Sequence, residues 1–307
     1  MKQTLFTLLI LSAVGLASCR KNGTEPDIKQ YDDQQIRAYM SANGLSGLKR
    51  DTIGGDTSGI YYQVLNAGTG DSVKYPDVIS YVYTIKTLDN KFTAQDTVVN
   101  HYSGFLGHVT PRGLMLAIHD LAKYKGTKIR VIVPSHLGYG VNGAGSGSST
   151  IVNGKIPGNE SLDYTIELID NQVKYDDKVI LDYMAANNLS GYTKIVSGAD
   201  SGLYYKITTA GTGSTIGANT TLTANYVGKL MNNTVFDDES TTAISFSDLT
   251  AGSYIKGFAD GLIMSRSGGG ISLLIPSKLG YGQAGSTGGI PSNACLRFDI
   301  TNITVTP

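Results

Sequence analysis

An internal repeat constrains the fold of this 307-residue chain more than any other feature. The segment YDDQQIRAYMSANGLSG from Tyr31 returns as YDDKVILDYMAANNLSG from Tyr175, and SGIYYQVLNAGTG from Ser58 returns as SGLYYKITTAGTG from Ser201. The tetrapeptide LGYG also occurs twice. A period of about 143 residues is far longer than that of a solenoid. The chain is therefore expected to fold as two tandem domains of common descent, each large enough to bury its own core.

The first 19 residues have the pattern of an export signal. Lys2 is followed by an apolar stretch, Leu5 to Leu16, that is too short to span a bilayer comfortably. The stretch ends in LASC, which resembles the lipobox of bacterial lipoproteins and predicts that Cys19 becomes a lipidated N-terminus. A simple secretory signal is the alternative. The polar residues 20–31 predict a flexible tether.

The charge balance argues against a nucleic-acid-binding protein, and the cysteine content argues against a disulfide within the chain. With 25 basic and 25 acidic residues the net charge is zero, so the sequence predicts no nucleic-acid partner. If Cys19 is acylated, Cys295 has no partner for a disulfide, and its apolar neighbours favour a small buried side chain. The 38 glycines and 19 tyrosines are typical of short strands and tight turns.

Each repeat begins with a helical pattern. The apolar residues recur at i, i+3 and i+4, behind aspartates suited to capping. We expect these stripes to pack against the domain that follows rather than to bind a partner. They are Ile36, Tyr39 and Met40 in the first repeat and Ile180, Tyr183 and Met184 in the second.

The rest of the second repeat predicts strands around one short helix. LYYKITT and TLTANYVGKL are strand patterns separated by the AGTGS turn, and a further strand is expected around Ala243 to Phe246. A short helix near Ile255 to Met264 precedes the strands GISLLIP and CLRFDITNI. One short helix against an antiparallel sheet makes an α+β domain.

Several motifs in the second repeat resemble the FKBP-type peptidyl-prolyl cis-trans isomerases, or immunophilins. They are YVGKLMNNTVFDDES, YIKGFADGLIMSRSGGGISLLIPSKLGYG and GIPSNACLRFDI, which occur in that order. The resemblance implies two tandem FKBP-like domains, each a curved antiparallel sheet around a short helix with an extra N-terminal helix. We place a degenerate domain at residues 32–171 and an isomerase domain at 172–307.

The resemblance also implies the residues of a prolyl-binding pocket. Asp237 matches the pocket carboxylate of the family, and Tyr281 matches the hydroxyl that donates to a bound carbonyl. Phe258 stands where the family usually has a tryptophan. The lining residues implied are Tyr226, Phe236, Phe246, Ile255, Phe258, Ile290 and Phe298.

Side chains of these types suffice for isomerisation without a cofactor or a metal. Rotation about a peptide bond meets a barrier of ~18–20 kcal/mol because twisting destroys amide resonance. A twisted amide is less dipolar than a planar one, so a dry apolar pocket favours the transition state over the ground state. In this interpretation Tyr281 and the Ile255 N–H hold two carbonyls, and Asp237 orients the pocket.

A purely structural interpretation accounts for part of the same pattern. Aromatic residues in a β-rich domain are usually core residues. An aspartate among apolar residues is costly to bury without a partner, so Asp237 is either functional or, with Asp238 and Glu239, part of a solvated turn.

The first repeat keeps the aromatic shell but departs from the family at the pocket. Thr93 replaces the carboxylate, Pro111 has no N–H to offer where the second repeat has isoleucine, and Leu114 replaces the aromatic floor. The loop from Tyr139 to Ile156 is eight residues longer than its counterpart. We interpret this repeat as noncatalytic or weakened. The shell residues are Tyr83, Phe92, Tyr102, Tyr139, Ile156 and Tyr164.

All four histidines lie in the first repeat, but no metal-binding spacing accompanies them. No metal site is therefore assigned. These residues are His101, His108, His119 and His136.

Two functions are compatible with the sequence. The first is a lipid-anchored isomerase in the bacterial cell envelope, facing the periplasm, that acts on X-Pro segments of unfolded or exported proteins and, by resemblance, binds macrolides. Catalysis would reside in the second repeat. The alternative is a noncatalytic binding module or holdase that grips prolyl or apolar segments, which the departures at Phe258 and Thr242 allow.

Overall fold

The structure is a computed structural model that describes residues 27–53, 57–146, 153–250 and 252–306. The predicted lipidation site, Cys19, lies outside these ranges. In the first repeat the elements are α1 (Ile28–Ala42), β1 (Lys49–Arg50), β2 (Tyr61–Asn66), β3 (Val78–Thr87), β4 (Thr93–Ala94), β5 (His101–Phe105), α2 (Arg112–Leu116), β6 (Lys128–Val133) and β7 (Leu162–Leu168). In the second they are α3 (Gln172–Ala186), β8 (Thr193–Lys194), β9 (Tyr204–Thr209), β10 (Leu222–Leu230), β11 (Val235–Phe246), α4 (Lys256–Ile263), β12 (Gly270–Ile275) and β13 (Leu296–Val305).

Each repeat forms its own antiparallel sheet. The order in the first is β1-β2-β6-β7-β3-β4, with β5 also paired to β3, and the order in the second is β11-β10-β13-β12-β9-β8. The short helices α2 and α4 cover one face of their sheets. This arrangement confirms the predicted α+β fold with an extra N-terminal helix in each repeat.

The N-terminal helices pack against the other face of the sheets, as their apolar stripes predict. In the second repeat Ile180 and Tyr183 contact Tyr204 and Leu274 of the sheet, together with Cys295. Cys295 is 5% exposed and reduced, in agreement with its predicted role as a small buried side chain. In the first repeat Ile36 and Tyr39 make the equivalent contacts.

Helix α1 begins earlier than the sequence pattern indicated. The Asp27 carboxylate accepts hydrogen bonds from the backbone N–H groups of Lys29 and Gln30, at 2.7 and 3.1 Å, and so caps the helix. Residues 28–31, which the sequence analysis assigned to the tether, are therefore helical. Within the described ranges, no helix is both long enough and apolar enough to cross a membrane.

Strand β11 is longer than expected. The sequence predicted a strand only around Ala243 to Phe246, but the strand starts at Val235 and pairs with β10 through two register shifts. Asp237, Asp238 and Glu239 are poor strand formers, and pairing with the buried strand β10 overrides that local preference. The extension places Asp237 on the sheet instead of in a solvated turn.

Candidate functional site

An aromatic cluster lies between α4 and the sheet of the second repeat. Phe258, on α4, is 4% exposed, and its ring centroid lies 5.6 Å from that of Tyr226, 5.4 Å from Phe246 and 5.0 Å from Phe298. The rings of Tyr226 and Phe298 meet Phe258 edge to face, the arrangement that aromatic quadrupoles favour. The cluster is the centre of what we call the second pocket.

A glycine on β10 lets two of these rings lie close to the sheet. A Cβ atom at Gly228 would lie 2.8 Å from the ring of Phe236 and 3.0 Å from that of Phe298. Phe236 and Phe298 themselves meet edge to face at 5.6 Å. A larger residue at position 228 would therefore require both rings to shift.

The carboxylate of Asp237 lies at the edge of the cluster. The Tyr226 hydroxyl donates a hydrogen bond to Asp237 Oδ2 at 2.8 Å, which joins neighbouring strands β10 and β11. Burial raises the pKa of Tyr226, and its hydrogen bond to Asp237 raises it further. Tyr226 is therefore a neutral donor at physiological pH, and no ion pair within the described residues involves Asp237.

Tyr281 stands at the rim of the second pocket. It follows the 3₁₀ turn Ser277–Leu279, and its side chain is 38% exposed. Partial burial raises the pKa of the Tyr281 hydroxyl, and the negative charge of Asp237 adds to this effect. The hydroxyl therefore stays protonated and can donate a hydrogen bond to a ligand.

Ile255 and Ile290 complete the lining. Ile255 is the N-cap residue of α4, and its N–H makes no hydrogen bond to any described residue. Ile290 is 5% exposed and packs in the same core cluster as the aromatic rings.

The structure brings the nine predicted pocket residues into one region of the second repeat. Seven of them share a single apolar cluster, and the other two, Asp237 and Tyr281, interact electrostatically at its edge. The seven are Tyr226, Phe236, Phe246, Ile255, Phe258, Ile290 and Phe298. Their roles in binding and catalysis remain predictions.

The corresponding space in the first repeat is filled by side chains that the sequence analysis did not consider. Tyr81 of β3 stands at the strand position of Ala224, is 2% exposed, and stacks on Tyr102 with ring centroids 5.0 Å apart. Ile85 stands at the position of Gly228 and is 5% exposed. At both positions the first repeat has a larger buried side chain than the second repeat, and an alignment of the two repeats already contains these differences.

One assumed equivalence between the repeats does not follow the strand register. Phe246 pairs with Leu222, whereas the equivalent Ile79 pairs with Gly104, so Gly104 rather than Tyr102 holds the position of Phe246. The ring of Tyr102 lies over Gly104, where an added Cβ would be 2.8 Å from the Tyr102 hydroxyl oxygen. The first repeat therefore also has an aromatic ring near this position, but the ring belongs to Tyr102, two residues before Gly104.

Two other departures of the first repeat, at the start of α2, lie where the sequence placed them. Pro111 is the N-cap residue of α2 and offers no N–H, and Leu114 on that helix is 2% exposed. Thr93 does not hold the position of Asp237 in the strand register, because Gly228 pairs with Asp237 whereas the equivalent Ile85 pairs with Ala94. The backbone N–H of Thr93 donates to Asn153 Oδ1 at 2.7 Å. Among the described residues, no group of three or more His, Cys, Asp or Glu side chains is arranged to hold a metal ion.

Comparison with known proteins identifies the family. The family model described as FKBP-type peptidyl-prolyl cis-trans isomerase matches residues 111–169 and 213–302. FkpA of Buchnera aphidicola subsp. Baizongia pistaciae is 31% identical over 172 residues, which cover 52% of this chain and 67% of that protein. The chain belongs to the FKBP-type peptidyl-prolyl cis-trans isomerase family.

Other FKBP-type proteins match shorter parts of the chain. A probable FKBP-type isomerase of Haemophilus influenzae is 40% identical over 116 residues, 37% of this chain and 47% of that protein. The crystal structure of FkpA from Escherichia coli is 30% identical with a TM-score of 0.37, covering 44% of this chain and 62% of that one. The chain spans about half the length of the curated relatives it matches.

The extent of the FKBP match differs between the repeats. In the second repeat it runs from residue 213 and includes β10 and β11, with Tyr226 and Asp237. In the first repeat it begins only at Pro111, after the strands that carry Tyr81, Ile85 and Thr93. The part of the first repeat outside the FKBP match is thus the part whose side chains fill its pocket.

Proposed function

We propose that this chain is a peptidyl-prolyl cis-trans isomerase that assists the folding of exported proteins, with catalysis in the second repeat. The observation that carries the proposal is the Tyr226–Asp237 hydrogen bond at the edge of the aromatic cluster, with the Tyr281 hydroxyl near enough to be affected by the charge of Asp237. Membership of the FKBP-type family supports it. X-Pro segments of unfolded chains are the proposed substrates, and macrolides are proposed ligands.

The residues of the second pocket suit bond rotation rather than bond cleavage. The prolyl ring would pack on Phe258, and the carbonyl before proline would leave its planar position as the amide twists. Tyr281 and the N–H of Ile255, which makes no hydrogen bond within the part of the chain that the structure describes, would donate to carbonyls on either side of the prolyl ring. The hydrogen bond from Tyr226 holds Asp237 in one orientation and so sets the electrostatic potential of the pocket.

The alternative is a holdase in which the same pocket binds prolyl segments without accelerating rotation. The replacement of tryptophan by Phe258 at the floor favours this alternative, because a smaller floor grips the ring less tightly. Binding and turnover must therefore be measured separately.

The test uses the full chain with substitutions in the second pocket. Tyr281→Phe removes one donor and Asp237→Val removes the carboxylate, so we expect each to lower kcat/KM about tenfold. Exchange between cis and trans signals of a prolyl peptide, measured by NMR, gives the rate. Circular-dichroism melts establish that the variants fold.

Matched controls come from the first repeat. Tyr139→Phe changes the counterpart of Tyr281, and Thr93→Val changes the residue that aligns with Asp237 in sequence. We expect both to retain the wild-type rate because buried side chains occupy the corresponding region of the first repeat. Full activity in both second-pocket variants would contradict catalysis there. A wild type that binds prolyl peptides without cis–trans exchange would establish the holdase.

We further propose that the chain is a lipoprotein of the bacterial cell envelope, anchored through Cys19 and facing the periplasm. The support is the LASC sequence at the end of the apolar stretch. We expect metabolic labelling with a fatty acid to mark the wild type in a bacterial host and not Cys19→Ser. A second variant, Cys295→Ser, controls for labelling of the other cysteine. Equal labelling of the wild type and Cys19→Ser would exclude acylation at this residue.

A further inference from the structure

The two repeats contact each other beside the second pocket. The segment that joins β4 to β5 in the first repeat lies against the β10–β11 turn of the second, where the Asn232 side-chain amide donates to Asp96 Oδ2. Val98 of this segment packs against Met231 and Cys295. The filled first repeat is therefore in direct contact with the domain that carries the second pocket.

Ser80 of β3 lies at the centre of a polar network in this contact. Its hydroxyl accepts a hydrogen bond from the Asn293 side-chain amide at 3.3 Å and donates one to Gln172 Oε1 at 3.2 Å. His101 Nε2 lies 2.8 Å from the same hydroxyl oxygen. A serine hydroxyl has one proton, so the arrangement is satisfied when His101 donates from Nε2.

The first route from Ser80 leads to the segment that precedes Tyr281. The Gln172 side-chain amide donates to Asp176 Oδ1 at 2.7 Å, and Asp176 Oδ2 accepts from the backbone N–H and the hydroxyl of Ser277 at 2.9 and 2.7 Å. Asp176 is 1% exposed, so these bonds are shielded from water. Ser277 begins the 3₁₀ turn Ser277–Leu279, which is followed by residues 280–293, the segment that we call the Tyr281 loop.

The second route leads to the residue that follows Tyr281. Asn293, which binds Ser80 through its side chain, donates its backbone N–H to the carbonyl of Gly282 at 2.8 Å. Gly282 has φ +55° and turns the chain directly after Tyr281. Ser80 is therefore connected to both sides of the loop that presents the Tyr281 hydroxyl.

The first repeat has the same loop closure without the inter-repeat connection. Asn159 donates its backbone N–H to Gly140 at 2.7 Å, as Asn293 does to Gly282. Asp32, the counterpart of Asp176, is bound by His136, whose ring Nδ1 lies 2.8 Å from Asp32 Oδ2, and the Ser135 hydroxyl, at the position of Ser277, has no hydrogen-bond partner among the described residues. The position of Gln172, however, is occupied by Ile28, which is 39% exposed. Among the described residues, the link through a glutamine is thus specific to the second repeat.

We propose that Ser80 is a positioning residue through which the first repeat holds the Tyr281 loop in its productive orientation. This inference rests on the proposed function and gives the filled repeat a role in it. A donor displaced by about 1 Å loses much of its catalytic contribution, so the loss of the Ser80 connections lowers turnover without removing any group from the pocket.

The experiment is a double-mutant cycle in the full chain between Ser80→Ala and Tyr281→Phe. We expect Ser80→Ala to lower kcat/KM about three- to tenfold, mainly through kcat. In the Tyr281→Phe background the same substitution should have no further effect, because the group that it positions is already absent. Ser80→Thr keeps the hydroxyl and should restore the wild-type rate.

Ser103 supplies the matched control. It is the cross-strand partner of Ser80, and the described residues show no hydrogen bond from its side chain, so Ser103→Ala should keep full activity. Additive losses in the cycle, or a Ser80→Ala variant with the wild-type rate and an intact melt, overturn the proposal. If the wild type binds prolyl peptides without turnover, the proposed catalysis fails. The same double-mutant cycle is then measured as peptide affinity. Non-additive losses of affinity would support the positioning role, and additive losses would overturn it.

Discussion

Phe258→Ala is expected to destabilise the second repeat by about 3–5 kcal/mol. Phe258 is 4% exposed, and three aromatic rings surround it with centroids within 5.6 Å, so truncation leaves a cavity that rigid neighbours cannot fill. Equilibrium unfolding in urea, followed by circular dichroism, measures the change. Phe105→Ala is the control, because Phe105 is 48% exposed and should cost less than about 1 kcal/mol.

Phe258→Leu separates stability from binding at the same position. Leucine stands there in the first repeat, as Leu114, and is 2% exposed, so this floor residue packs well in the fold. We expect a smaller loss of stability than with alanine. We also expect weaker binding of prolyl peptides than in the wild type, because leucine offers no aromatic ring.

For the alanine variant, an unfolding midpoint equal to that of the wild type would show that the aromatic cluster is not part of a close-packed core.

Stability is expected to fall on acidification because of His101. Burial lowers the pKa of His101 from 6.5 to about 4, since the charged imidazolium would lose its hydration beside Tyr175 and Ser80. Between pH 4 and pH 6.5 the folded state thus binds fewer protons than the unfolded state. The contribution of His101 to the free energy of unfolding is fully present above pH 6.5 and is lost as the pH falls towards 4. The total loss is about 3 kcal/mol.

The measurement is the free energy of unfolding between pH 4 and 7 for the wild type and His101→Asn. Burial raises the pKa of Glu160 and of Asp176, which gives the opposite pH dependence, so the difference between the two proteins isolates His101. His108→Asn, at an exposed position, controls for the replacement of a histidine. Parallel pH profiles for the wild type and His101→Asn would mean that the imidazole is hydrated in the folded protein.

Local patterns in the sequence predicted much of the fold. The helical stripes around Ile36 and Ile180, the strand patterns and the ordered motifs of the second repeat each depend on neighbouring residues, and the structure agrees with them. The residues of the candidate site were implied by the resemblance to the FKBP family, and the structure places seven of them in one apolar cluster.

Features that depend on register or on distant residues were not predicted. The shift from Tyr102 to Gly104 results from how β5 pairs with β3, which residue spacing does not determine. The filling of the first pocket by Tyr81 requires knowing which face of β3 is buried. The Ser80 network joins residues that are 92 and 213 positions apart in the chain, so no local pattern could indicate it.

The different side-chain sizes on β3 and β10 also disfavour the exchange of strands between the two halves of this duplicated chain. Tandem domains with similar sequences are prone to misassembly, in which a strand of one domain enters the sheet of the other. If β3 replaced β10, Tyr81 would enter at the position of Ala224, and Ile85 would displace the rings of Phe236 and Phe298 from Gly228. The same substitutions that close one pocket therefore make such a hybrid domain overpacked and direct each strand to its own sheet.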